Sequence, residues 1–135
     1  MNDIRWLDSM SVGVAQFNDD HRRIMTLLGE IGELAEGGEI PAAIAVADQL
    51  IALATEHIER EDAFLRKVEF PGAENVIGVQ RRNLANLTAL AARLRDDGAH
   101  VGAIAQDMAR EFVAYLLRAD INYKSYVEHV GLADC

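Results

Sequence analysis

The sequence predicts an all-α, up-down-up-down four-helix bundle with an extended N-terminal arm. Three observations predict it. Apolar residues recur at helical spacing in four long segments, prolines number two in 135 residues, and Gly and Pro clusters separate the segments. Half the residues are hydrophobic, and a chain of this length buries about 68–70% of its unfolded surface, so one domain over 1–135 is expected.

Residues 1–17 show no helical period; Val12, Val14 and Phe17 read as an arm laid over apolar surface. Asn18 is a suitable N-cap, and Asp19 and Asp20 would put negative charge on a first turn. Ile24, Leu27, Leu28, Ile31 and Leu34 carry the first stripe until Gly37-Gly38 stops it. Pro41 suits the start of a second helix, where its missing N–H is not needed. That helix runs to about Val68 through Ile44, Ala47, Ile51, Ala54, Ile58 and Leu65, and Pro71-Gly72 breaks the chain. A third segment, 73–95, carries Val76, Val79, Leu84, Leu87, Leu90 and Leu94. Asp96-Asp97-Gly98 signals a turn, and a fourth helix, 101–130, follows with Ile104, Met108, Phe112, Leu116 and Tyr123.

Composition limits the function classes. Thirteen Lys+Arg against twenty-two Asp+Glu give a net charge of −9, which disfavours nucleic acid and anionic membranes as partners. No apolar run approaches the roughly 18 residues of a membrane span. The first ten residues lack a signal-peptide core, so a cytoplasmic protein is expected. The single cysteine, Cys135, forms no intrachain disulfide and reads as a free thiol.

The informative residues are polar ones that interrupt apolar stripes, because a bundle builds its metal sites from inward side chains of several helices. His57 and Glu61 are four apart and share one helix face. An imidazole and a carboxylate suit iron, manganese or zinc, yet such a pair is equally common on an exposed face. His21 sits near the start of the first helix, where a surface histidine is the plainer reading. Asp120 follows the apolar run 112–117 and either faces the interior, where it needs a cation, or is solvated beside Arg118. His100 and His129 read as surface residues.

In order and spacing these positions resemble the bacterial hemerythrin family over nearly the whole chain. Trp6, S-V-G-V at 11–14 and F-N-D-D-H-R-R-I at 17–24 are similar to its S-V-G-x-x-x-[IF]-D-x-Q-H-x-x-L segment, with Asn18 for the usual Asp and Asp20 for the usual Gln. H-I-E-R-E-D at 57–62, followed by Phe70-Pro71, resembles H-F-x-x-E-E and Y-P. In 111–126, Asp120, Tyr123 and Tyr126 fall on the family's bridging Asp, its Tyr and its Phe.

The resemblance implies a bundle around a metal centre, with His21, His57, Glu61 and Asp120 at the ligands of the iron that receives O2. The other iron's three histidine positions carry Val76, Gln80 and Tyr115. Val76 cannot bind metal, Gln80 is a weak ligand, and Tyr115 binds only as a phenolate. Asn83 replaces an aromatic residue.

An ordinary O2 carrier of this family draws one electron from each of two irons, so one ion rather than two implies altered chemistry. The first reading is a nonheme metal protein with a mononuclear or asymmetric site, Tyr115 and Gln80 serving a weaker second position. It would bind or sense O2, NO or a related small ligand, or store iron; manganese and zinc suit the same donors. The second is a nonheme iron oxidase or oxygenase. The third is a metal-free bundle that binds a protein partner.

Overall fold

The computed structural model describes the backbone over 15–97 and 100–130, and the side chains over 16–97 and 100–117. It contains four helices, α1 (Ala15–Glu36), α2 (Ile40–Lys67), α3 (Ala73–Asp96) and α4 (Val101–Val130), and no strand among the described residues. Each helix packs on its neighbour in sequence, and α4 closes the ring against α1. Short connections make those neighbours antiparallel, which is the expected four-helix bundle.

The ends of α1 and α2 use the same device. After α1, the Gly38 N–H donates to the Ala35 carbonyl and the Glu39 N–H to the Leu34 carbonyl, with Gly38 at φ 75°. After α2, the Glu69 N–H donates to Arg66 and the Phe70 N–H to Leu65, with Glu69 at φ 56°. Both satisfy otherwise unpaired helix carbonyls through one left-handed residue, a place where glycine carries no Cβ penalty. Glu69 adopts it as an ordinary L-residue, and Phe70 is thereby returned to the core, against which it packs half-buried.

Two expectations are corrected. The first helix begins at Ala15, so Phe17 is helical rather than part of an arm, and Asn18 lies inside α1 rather than capping it. Phe17 is buried and packs edge-on against Phe64 at 5.3 Å and His57 at 5.4 Å. That tertiary packing carries the helix past the local cap signal. The remainder of the predicted arm, with Trp6 and the S-V-G-V segment, lies outside the described residues, as does Cys135.

The inward line of α2 is also rotated from the expected one. It runs Ala43, Ala47, Leu50, Ala54, His57, Glu61, Leu65, while Ile44 and Ile51 are only half-buried and flank it. His57 and Glu61 therefore continue the buried stripe rather than interrupt it. Below them, Leu28, Ile31, Leu50, Leu94, Ile104 and Met108 form a fully buried apolar core that positions the polar cluster above.

Candidate metal centre

α1 carries His21 into the interior because Phe17, Ile24 and Leu28, at helical spacing on either side, are themselves buried. The imidazole is 0% exposed. From α2, His57 (3% exposed) and Glu61 (0%) meet it. His21 Nε2 lies 2.9 Å from His57 Nε2, and Glu61 Oε2 lies 2.7 Å from the same nitrogen.

The other side of His57 is held as firmly. Its Nδ1 lies 2.9 Å from Asp20 Oδ2, and that oxygen also accepts a 2.9 Å hydrogen bond from the Arg60 guanidinium. Burial disfavours a charge on His57, but hydrogen bonds and charges from Asp20 and Glu61 outweigh it and push its pKa up to about 9. Burial would likewise raise Asp20, yet its bonds to His57 and Arg60 hold it below its ordinary value. His21 goes the opposite way, its pKa driven well down by burial and by the neighbouring His57 cation. Neutral His21 thus accepts from His57 at Nε2. Its Nδ1 has no partner among the described residues.

α3 and α4 supply the remaining wall. The Gln80 amide N–H donates to Glu61 Oε1, leaving Gln80 Oε1 without a hydrogen bond. Val76 packs as a buried apolar residue on the same face of α3. Tyr115 is buried, and burial followed by the Glu61 charge keeps its phenol protonated well beyond the usual range, against a smaller effect of Gln80. Asn83 donates to Glu111 Oε2 at 2.9 Å and ties α3 to α4. Phe112 stands 5.9 Å from the His21 ring, opposite Phe17 on His57, so aromatic edges keep water from both imidazoles.

The donor set fits a small divalent cation. The ligand atoms of His21, His57 and Glu61 all lie within 4.8 Å of one another. The 2.9 and 2.7 Å separations are hydrogen-bonded ones, and a modest opening brings the donors to the spacing of about 3–3.4 Å set by an ion bound at about 2.1 Å. Two imidazoles and a carboxylate suit iron, manganese and zinc alike.

Of the residues expected from sequence, His21, His57 and Glu61 come together, with Gln80 against Glu61 and Tyr115 beside them, its ring 6.3 Å from that of His21. The side chain of Asp120 lies outside the described residues, as does that of His129; the backbone of both is in α4. His100 is exposed and contacts Asp97 at 2.9 Å, away from the cluster. Sequence reasoning missed Asp20 and Arg60. Their signal was adjacency, since each stands one residue before a ligand candidate, with opposite charges on two helices that share a seam.

No curated protein matches the chain. The family model of the hemerythrin HHE cation-binding domain matches residues 12–120, a span that holds His21, His57, Glu61 and most of all four helices. With a matching span of that length and a buried histidine–carboxylate cluster between α1 and α2, the chain belongs to the hemerythrin family.

Proposed function

We propose that the chain is a nonheme metal-binding protein that holds one ion, iron before manganese or zinc, through His21, His57, Glu61 and Asp120, and that binds or senses O2, NO or a related small ligand. The observation that carries this reading is the convergence of His21, His57 and Glu61 on one buried point. Bound iron(II) would supply an electron and a coordination position for the small ligand. The chain's residues orient the donors and keep water out: Phe17 and Phe112 pack edge-on against the two imidazoles.

Support for one ion rather than two comes from α3. Glu61 Oε1, the oxygen facing that helix, accepts the Gln80 amide N–H, and the amide oxygen is a weak ligand beside the histidine it replaces. Val76 offers no donor atom, and Tyr115 would bind only as a phenolate, a form that burial and the Glu61 charge disfavour. No described helix is long and apolar enough to cross a membrane. A cytoplasmic sensor that passes its signal to a separate protein partner accords with that and with the acidic composition.

One observation favours the metal-free reading. The charges of Asp20 and Glu61 are matched by Arg60 and a protonated His57, so among the described residues the cluster balances without an ion. Anaerobic Fe(II) titration with metal analysis separates the two. About one ion per chain, lost in His57→Ala, is the expected result; the absence of any stoichiometric iron, manganese or zinc in the wild type would sink the proposal.

A further inference from the structure

We infer that Asp20 is a positioning residue for the metal centre, clamped by Arg60, which fixes the His57 ring so that Nε2 rather than Nδ1 is the ligand atom. The inference rests on the single-ion reading above and concerns residues that take no part in the ligand set proposed there.

The geometry is built from two short sequence pairs. On α1, consecutive residues divide the work: His21 enters the cluster as a donor, while Asp20 reaches the back of a different histidine on α2. On α2, Arg60 precedes Glu61, and its guanidinium approaches the same Asp20 oxygen that faces His57 Nδ1, at 2.9 Å in both cases. The Asp20 side chain is 15% exposed, so water competes poorly for that oxygen. An imidazole turns about its last side-chain torsion between two broad, roughly equivalent orientations. A carboxylate at Nδ1 removes that freedom, and it strengthens the donor on the far side of the ring. The pair at Asp20 and Arg60 also ties α1 to α2 next to His21, so both imidazoles are set by one seam.

The arrangement predicts a ladder of effects on metal affinity. Asp20→Asn keeps an oxygen able to accept both bonds but removes the charge. Asp20→Ala removes both. Asp19→Asn removes a charge one residue away, from a 74% exposed side chain that pairs only with Arg22 among the described residues, and serves as the control.

Zn(II) dissociation constants, measured on the full chain by competition with a chromophoric chelator, test this. Asp20→Ala is expected to bind about 10–100-fold more weakly, in the range typical of lost outer partners of metal-bound histidines. Asp20→Asn should fall between, and Asp19→Asn should match the wild type. Co(II) absorption adds a readout of ligand geometry, expected to shift in Asp20→Ala and not in Asp19→Asn. Wild-type affinity and an unchanged Co(II) spectrum in Asp20→Ala overturn the inference while leaving the metal reading intact. If Asp20→Ala fails to fold, undiminished Zn(II) affinity in Asp20→Asn overturns it instead. A wild type that binds neither ion overturns the metal reading and this inference with it.

Discussion

His21 and His57 face each other through their Nε2 atoms at 2.9 Å, a gap that holds one proton, so both rings cannot be cations at once. The pair therefore splits, His57 holding its proton up to about pH 9 and His21 losing its own well below the ordinary 6.5. The consequences for metal-free stability have opposite signs. For His57, whose folded value is raised, the contribution is complete below 6.5 and disappears as pH rises through about 9. For His21, whose folded value is lowered, stability is lost as pH falls below 6.5, because the unfolded chain takes up a proton the buried ring refuses. Chemical denaturation of metal-free protein should find this pair's contribution largest near pH 6.5 and falling on both sides. In His57→Gln the alkaline loss between 6.5 and 9 should vanish, a change on the order of 3 kcal/mol for that arm. An alkaline slope that survives the substitution assigns the proton elsewhere.

At the scale of the helix, the two left-handed caps give a matched comparison. Gly38 and Glu69 occupy the same position after α1 and α2, with φ 75° and 56°. Gly38→Ala introduces a Cβ at a conformation L-residues rarely adopt and is expected to cost about 1 kcal/mol. Glu69→Gly relieves the same strain and should stabilise the fold by about 0.5–1 kcal/mol, less than the full relief because glycine also gains freedom when unfolded. Paired thermal melts check both, and an unstable Glu69→Gly would mean that its side chain contributes more than its backbone costs.

The helices also show what the sequence makes legible. Length, breakers and period set all four helices within a few residues. His57 and Glu61 could be placed on one face of α2 from their spacing alone. The face itself was harder to place. Ile44, Ile51 and Ile58 are the more hydrophobic line, yet Ala43, Ala47 and Ala54 are the ones that turn inward. Small side chains let neighbouring helices approach, and a hydrophobicity pattern undervalues them because closeness is a property of two helices together. The same limit hid Asp20. Its role depends on a nitrogen 37 residues away, which no local pattern encodes. Gln80 was legible as an odd residue at a ligand position; that its N–H points at Glu61 was not, because amide orientation follows from partners.

For the whole molecule, the core beneath the cluster and the cluster itself are separable. Leu50 is fully buried on the inward line of α2, nearly two helical turns before His57. Leu50→Ala is expected to lower unfolding stability by about 2–5 kcal/mol, the range for an emptied core site. Zn(II) affinity of the folded variant should remain within a factor of a few. A collapse of affinity with only a small loss of stability would show that the bundle transmits core packing to the centre.

The balance of Asp20 and Glu61 against Arg60 and protonated His57 bears on how the protein lives in a cell. Newly made chains can bring α1 and α2 together without metal, because the charges of the described cluster are matched by its own residues. On the single-ion reading, quality control that recognises unfolded chains then cannot tell loaded from unloaded copies. On that same reading, occupancy in a purified preparation becomes a record of supply during growth, and loading after purification should proceed by exchange of a proton for a metal ion, without refolding.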